Sequence, residues 1–259
     1  KIQNPDGGWS KESHTDKTSM WITTFVGLKL CRGNLILKDP DIQATVDKTL
    51  EYVLSMQEED GHWSDTEWSH LDTTCSVTCF LTIYQVTHDK TNDERINKAR
   101  IRGFEFIAQW QKDSGLWKDE TFHPAGIETT AHLMQYTLVP AYFMDKIEYA
   151  GKMCMDAADS MVTAQAENGS WDNENTDHTM DACRNLMLVS DTFKTKEKYA
   201  PVIEKGVRWL IDIKNEQGWG DFPQEPSNVE RTADGLDTLL KYRRYEAGEP
   251  MSHFWAFSK

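Results

Sequence analysis

The sequence is short of basic residues: its 259 residues include 28 Lys and Arg against 42 Asp and Glu, for a formal net charge of −14. Binding to nucleic acids or anionic membranes needs clustered Lys and Arg, so this composition argues against both kinds of partner. No apolar run approaches the roughly 20 residues of a transmembrane helix, and no secretory signal peptide is visible. We expect a cytoplasmic protein without a transmembrane segment.

Several familiar site patterns are also missing. The five cysteines are odd in number and contain no Cys-x-x-Cys pair, so neither a disulfide framework nor a common zinc finger is indicated. Buried free thiols are the expected state. No P-loop, Gly-x-Ser-x-Gly, His-Glu-x-x-His or glycine-rich dinucleotide motif occurs. We therefore predict no metal site and no certain cofactor.

A repeat dominates what is present. Its copies are QNPDGGW from Gln3, QEEDGHW from Gln57, QKDSGLW from Gln111, QAENGSW from Gln165 and a degenerate KNEQGW from Lys214. The glycines lie at positions 7, 61, 115, 169 and 218, three steps of 54 residues and one of 49. Such periods are typical of stacked supersecondary units. We expect one domain over residues 1–259, and, since the sequence opens inside a repeat without Met, an excerpt of a longer chain.

Each repeat predicts two helices. An amphipathic segment leads up to the Gln, with apolar residues at three- and four-residue steps, and a more apolar segment starts after the Trp. The amphipathic segments are 41–56, 93–110, 147–164 and 199–213, and the apolar ones are 19–30, 73–86, 129–143, 181–189 and 232–242. The alternation predicts an outer and an inner ring. The fold class is therefore all-α, an α/α toroid of about six helix pairs, which helices outside this sequence would complete.

Residues 102–117 carry a family resemblance. The pattern Arg-Gly-x-x-Phe-Ile-x-x-x-Gln-x-x-x-Gly-x-Trp resembles the QW motif of the terpenoid-cyclase and protein-prenyltransferase superfamily, and Lys205-Gly206 before Trp209 has a similar register. The resemblance covers nearly the whole chain and is closest to squalene–hopene-cyclase-like repeats. It implies the α/α toroid, and it implies that Gln and Trp tie an outer helix to its neighbour. The motif is then structural and not itself a site.

The strongest candidate for catalysis is HLDTTC, from His70. It resembles the DxDD motif of class II terpene cyclases and its DxDTT variant, in which the middle Asp protonates an alkene or epoxide. The resemblance implies that Asp72 is the general acid, with His70 and Thr73 beside it. Such an acid must hold its proton near neutral pH, so burial or a neighbouring carboxylate must raise its pKa. His70 replaces the first Asp; a cationic imidazole would lower the pKa of Asp72, whereas a neutral one could hydrogen-bond it.

Helix capping is the alternative role for Asp72. Acids and threonines at a helix start cap free N–H groups and complement the helix dipole. Aligned by sequence, the inner helices begin Asp72-Thr73-Thr74-Cys75, Glu128-Thr129-Thr130-Ala131, Met180-Asp181-Ala182-Cys183 and Glu230-Arg231-Thr232-Ala233. If these helices are parallel, their N-termini share one mouth, which would attract an anion such as phosphate. The loops would place His14, His70, His123 and His178 near it, and we favour exposed or capping histidines over a metal site.

The inner helices also supply candidates for substrate binding. Aromatic faces stabilise carbocations, and Trp21, Phe25, Phe80, Tyr84 and Tyr136 either line such a pocket or form core. Arg184 is predicted to bind the diphosphate group of a substrate. If the substrate carries a diphosphate, Mg²⁺ is a possible cofactor. A salt bridge from Arg184 to Asp181, three residues earlier, is the alternative.

Two hypotheses follow for the function. The first is a class II terpene-cyclase-like domain that cyclises a polyprenyl diphosphate or a linear triterpene after protonation by Asp72. The second is a non-catalytic toroid that recognises a protein partner or fused domain. An apolar cavity reaching a buried Asp72 would favour the first hypothesis. A filled centre with Asp72 capping its own helix would favour the second.

Overall fold

The computed structural model describes residues 3–12, 17–118 and 126–251, and their regular elements are all helical. The helices are α1 Met20–Leu37, α2 Pro40–Ser55, α3 His70–Thr87, α4 Glu94–Ala108, α5 Gly126–Leu133, α6 Val139–Phe143, α7 Glu148–Ala164, α8 Thr176–Thr192, α9 Lys196–Ile213 and α10 Val229–Glu246. A π-helical turn, Met134–Leu138, joins α5 to α6. Within the described ranges, no helix is long and apolar enough to cross a membrane.

The helices form two layers. The inner helices α1, α3, α5–α6, α8 and α10 pack side by side in chain order, and α2, α4, α7 and α9 cover them from outside. The predicted all-α α/α toroid is confirmed, although α1 continues to Leu37 instead of ending at position 30. The described part of the chain contains five inner and four outer helices. Closure by a sixth pair therefore stays a prediction.

The described helices form an arc, and the last inner helix, α10, has an exposed apolar surface at one edge of it. On α10, Leu236 and Leu240 are 53% and 63% exposed. The equivalent positions on α8, Cys183 and Met187, are fully buried, because the next helix pair packs over them. Among the described residues nothing covers α10 in this way.

The Gln and Trp of each repeat hold the turn between the layers. Gln57 Nε2 donates to the carbonyl of Gly61 at 2.9 Å and to that of Ala99 on α4 at 2.9 Å. Trp63 Nε1 donates to the Val53 carbonyl on α2 at 2.8 Å. Gln3, Gln111 and Gln165 make the corresponding pairs of bonds. The second, third and fourth turns are thus bound to the preceding outer helix through Trp and to the following one through Gln.

A threonine on each inner helix fixes the register of the repeat. The backbone N–H of the repeat Trp donates to a Thr hydroxyl in the pairs Trp9–Thr23, Trp63–Thr74, Trp117–Thr130, Trp171–Thr179 and Trp219–Thr232. We call these five the anchor threonines. They show that the sequence alignment of the fourth helix was wrong by three residues. Asp177, and not Met180, is the counterpart of Asp72.

The core lies between the two layers. The indole rings of Trp63, Trp117, Trp171 and Trp219 are buried there almost completely. The five cysteines are free and buried, as expected, and burial raises the pKa of each thiol. They are therefore packing residues and poor nucleophiles.

Candidate functional site on the central face

The inner helices run parallel and start at one end of the arc. Hydroxyl groups join neighbouring inner helices: Thr24 Oγ1 lies 2.6 Å from Ser76 Oγ, and Thr78 Oγ1 lies 2.7 Å from Thr137 Oγ1. The face turned away from the outer helices carries the residues two before and two after each anchor threonine. We call it the central face. Its first row is Trp21, Asp72, Glu128, Asp177 and Glu230, and its second row is Phe25, Ser76, His132, Asp181 and Asp234.

Asp72 is half-buried in the first turn of α3, and Ser69 is the N-cap residue of that helix. The Asp72 N–H donates to Ser69 Oγ at 3.0 Å, and Ser69 Oγ donates to Asp72 Oδ2 at 2.9 Å. Ser69 thus caps the helix and orients the Asp72 carboxylate. The same carboxylate helps to raise the pKa of His132 on α5. Asp72 therefore complements the dipole at its helix start and faces the centre of the arc.

His70 and Thr73 do not share the surroundings of Asp72. The His70 side chain is exposed, and its ring stacks on that of His62 with centroids 4.2 Å apart. Residues two apart on a helix point in different directions, so His70 turns towards the repeat turn. Thr73 is fully buried, and its hydroxyl has no hydrogen-bond partner among the described residues.

Three aromatic rings stack at the α1 side of the central face. Trp21 lies between Trp68 and Phe25, with centroid distances of 4.5 Å and 5.4 Å and nearly parallel planes. Asp65 positions this stack, since its carboxylate accepts the Trp21 N–H at 3.1 Å and the Ser19 hydroxyl at 2.8 Å. Trp21 and Phe25 were predicted from the sequence. Trp68 and Asp65 were not, because they lie in a connecting loop whose pattern gives no signal for them.

The other predicted aromatic residues divide between core and centre. Phe80 is fully buried and packs against Gly27, and Tyr84 donates its hydroxyl to Asp47 on α2 at 2.7 Å. Both lie between the layers and are not available at the central face. Tyr136 is half-buried beside His132, with ring centroids 5.8 Å apart. It lies on the segment that follows α5, which packs against α3 as α1 does.

Charged side chains cover the part of the central face formed by α5, α8 and α10. Asp181 pairs with His132 at 3.3 Å and with Arg184 at 2.6 Å. Burial would raise the pKa of Asp181, but these two cations hold it below its usual range. Burial would likewise lower the pKa of His132, but Asp181 and nearby acids raise it to about 9. The predicted Arg184–Asp181 pair is present, and Arg184 further meets Asp234 at 3.1 Å.

A second set of pairs links the helix starts nearer the mouth. His178 bridges Glu128 at 3.1 Å and Asp172 at 2.9 Å, and the carboxylates raise its pKa to about 9 against the effect of burial. Arg231 meets Asp177 at 3.0 Å. Burial, together with Asp181, nevertheless raises the pKa of Asp177 to about 6. On α8 and α10 the residue just before the anchor threonine, His178 or Arg231, thus pairs with the first-row acid of the preceding helix.

No metal centre is formed in the ranges 3–12, 17–118 and 126–251: no group of three or more His, Cys, Asp or Glu side chains there has a suitable arrangement. Of the four histidines predicted near the mouth, His14 and His123 lie outside the described residues. Among the described helices, the larger of two small cavities beside Tyr136 measures about 10 Å³. Space of that size holds one water molecule at most, and Asp72 lines neither cavity.

Comparison with known proteins supports a terpenoid-cyclase-like toroid. The family model of the squalene–hopene cyclase C-terminal domain matches residues 26–146, less than half of the chain. No curated protein gives a significant match.

Solved structures show the same fold at low identity. The type II terpene cyclase MstE from Scytonema is 15% identical, with a TM-score of 0.60 over 92% of this chain and 69% of that one. A possible GH105 family member from Salmonella enterica is 13% identical, with a TM-score of 0.71 over 90% and 74%. Cellobiose 2-epimerase from Spirochaeta thermophila is 13% identical, with a TM-score of 0.65 over 89% and 71%. The chain therefore has the α/α-toroid fold that these three structures share.

Proposed function

We propose that the central face binds an isoprenoid and that Asp72 protonates it to start cyclisation, as in class II terpene cyclases. The family match and the likeness to MstE, whose structure is also known with the substrate geranylgeranyl dihydroxybenzoate, support this class of reaction. The observation that carries it is the placement of Asp72. Its carboxylate occupies the same position on α3 as the stacked Trp21 occupies on the adjacent α1. The acid Asp72 and the aromatic ring of Trp21 are therefore neighbours in the first row of the central face.

The proposed chemistry is an isomerisation. Asp72 gives its proton to an alkene carbon, whose π bond breaks, or to an epoxide oxygen, whose carbon–oxygen bond opens. The next double bond attacks the resulting cation, and a C–H proton is finally lost to water. The rings of Trp21, Trp68 and Phe25 would stabilise the cation through their negative faces. Ser69 fixes the direction of the Asp72 carboxyl. Reprotonation of Asp72 from water completes the cycle.

Product analysis of an Asp72→Asn variant tests this role. Purified protein is incubated with squalene, oxidosqualene, and farnesyl and geranylgeranyl compounds, and products are identified by gas chromatography–mass spectrometry. We expect a cyclic product that Asp72→Asn abolishes. Glu105→Gln is the control, since Glu105 is an exposed carboxylate on the outer helix α4, away from the central face. Equal activity of the wild type and Asp72→Asn would contradict the proposal.

A non-catalytic recognition toroid is the second candidate function. It is favoured by the Ser69–Asp72 hydrogen bonds at the start of α3 and by a central face whose ion pairs already satisfy one another. In that case Asp72→Asn would only remove a negative charge that complements the helix dipole and would lower the free energy of unfolding by about 0.3 to 1 kcal/mol. The wild-type protein would be folded yet give no product with any isoprenoid. That combination would replace the cyclase proposal with the recognition proposal.

A further inference from the structure

We call the charged part of the central face, formed by α5, α8 and α10, the charged arc. Its cations already form ion pairs with carboxylates. Arg184 meets Asp181 at 2.6 Å, Asp234 at 3.1 Å and Asp237 at 3.5 Å. Lys241 meets Asp237 at 2.5 Å. Arg184 thus has three acidic partners within ion-pair distance, and its side chain is only 11% exposed. A diphosphate could reach this guanidinium only by displacing carboxylates that the chain itself supplies.

The arginine nearest the mouth is engaged in the same way. Arg231 pairs with Asp177 at 3.0 Å and with Asp221 at 2.7 Å. Its remaining contacts, with Glu230 and Asp234, are also acidic. Carboxylates therefore outnumber cations on this arc, and the whole chain carries the same sign of charge. An incoming anion meets a repulsive field that a low-dielectric face would strengthen.

The helix starts are partly capped. The dipoles of parallel helices attract anions through free N–H groups. Side-chain oxygens of Ser19 and Asp65 accept two such N–H groups of α1, and Ser69, Asn175 and Asn228 accept one each of α3, α8 and α10. Fewer N–H groups therefore remain for a phosphate at four of the five inner helices, and the attraction of phosphate to these helix starts stays a prediction; the start of α5 borders residues outside the described range.

Lys29 on α1 is a cation in contact with the aromatic stack. Its ammonium lies over the ring of Phe25, 5.0 Å from the centroid. The neighbouring surface is the aromatic stack with Trp21, which is apolar. A single ammonium on an apolar surface gives little to a diphosphate that must also lose its hydration.

We infer that the substrate of this site is an isoprenoid without a diphosphate: a hydrocarbon, epoxide, alcohol or arene-linked polyprenyl chain. The inference rests on the proposed function and narrows its substrate class. The apolar chain lies along the Trp68–Trp21–Phe25 stack, and the acidic arc faces the carbon skeleton on which positive charge develops. The acidic surplus that repels a diphosphate stabilises that cation. One charge distribution accounts for both properties.

Farnesol and farnesyl diphosphate test the inference, because they share one isoprenoid chain and differ in the head group. Binding is followed by quenching of tryptophan fluorescence at low and high salt. We expect the wild type to bind farnesol at least about tenfold more tightly, and we expect farnesyl diphosphate to bind better as salt screens the acids. Asp234→Asn with Asp237→Asn should improve diphosphate binding and leave farnesol unchanged. Asp89→Asn with Glu94→Gln, at the far ends of α3 and α4, should change neither.

The outcomes separate this inference from the proposed function. Equal or tighter binding of farnesyl diphosphate overturns the inference, and loss of that binding in Lys29→Ala would locate the head group. Absence of binding by either ligand overturns both proposals. A preference for farnesol without turnover of any uncharged isoprenoid supports the inference about binding and overturns the proposed catalysis alone.

Discussion

The hydroxyl of Thr179 on α8 accepts the backbone N–H of Trp171 at 3.0 Å. This bond sets which side chains of α8 reach the central face. It places Asp181 in the row of His132, Ser76 and Phe25, and it makes Asp177 the counterpart of Asp72. Both the charged arc and the arrangement of the acids depend on this register.

Removing the anchor hydroxyl should weaken the fold. Thr179→Val keeps the shape of the side chain but leaves the buried Trp171 N–H without a partner, which costs about 1 to 3 kcal/mol. Denaturant unfolding measures the change. Thr163→Val, at an exposed position on α7, is the control and should shift the free energy of unfolding far less. An equal change in the free energy of unfolding of the two variants would contradict the proposed role of the anchor threonine.

The turn glycines should tolerate no side chain. Gly61 has φ of 100°, and a Cβ there would lie 2.4 Å from the Arg102 carbonyl oxygen. We expect Gly61→Ala to lower the free energy of unfolding by at least about 2 kcal/mol, from backbone strain and the clash. Gly33→Ala is the matched control on α1, where a Cβ meets nothing within 4 Å. The free energy of unfolding of Gly33→Ala should rise by about 0.5 to 1 kcal/mol because alanine has the higher helix propensity. A Gly61→Ala protein as stable as the wild type would contradict the described turn.

How far the sequence predicts the molecule depends on the range of the interactions. Helix positions follow from local apolar periodicity, so nine helical segments are correct within a few residues, apart from the longer end of α1. The anchor threonine is ambiguous in sequence, because Thr73 adjoins Thr74 and Thr176 precedes Thr179. The choice is made by a tryptophan outside the helix. For the same reason Phe80 and Tyr84 were assigned to the centre, although the register turns them towards the outer layer.

The site was predicted only in part. Asp72 and the aromatic pair Trp21 and Phe25 were identified from residue type and motif. The ion pairs of Arg184 with α10 join residues about 50 positions apart, one repeat period, and no local pattern signals them. Trp68 depends on the path of a loop. These features arise from packing of successive repeats and are absent from any single repeat.

Breaking the buried ion pair between α4 and the turn before α7 should destabilise the fold strongly. The side chains of Arg100 and Asp145 are 3% and 7% exposed. Asp145→Asn leaves the guanidinium buried without its counter-charge, so we expect a loss of about 3 to 5 kcal/mol in unfolding experiments. The exposed pair Lys152–Asp156 is the control: Asp156→Asn should cost under about 1 kcal/mol. Similar costs would mean that burial of the first pair has no consequence.

Stability should fall as the pH rises from 6.5 to 9. The pKa of His178 is raised to about 9 from its usual 6.5 by Asp172 and Glu128, against burial. A raised pKa favours the folded state fully below pH 6.5, and the benefit is lost as pH passes the folded-state pKa. We expect the free energy of unfolding to drop by about 1 to 3 kcal/mol across this window. His178→Gln should reduce the drop but keep the share of His132; an unchanged pH profile in that variant would contradict the assigned ion pairs.

The central claim is that a proton delivered at the central face starts the reaction, and isotope incorporation tests it most directly. The protein is equilibrated in D₂O and incubated with squalene and other uncharged isoprenoids that lack an epoxide, so that protonation places a non-exchangeable deuteron on carbon, and cyclic products are analysed by mass spectrometry. Since the acid is reloaded from solvent and a different proton is lost, we predict products one mass unit heavier than in H₂O, and none from Asp72→Asn. A cyclic product without deuterium would contradict protonation as the first step, and a folded wild-type protein that forms no product would contradict the catalytic role of the central face.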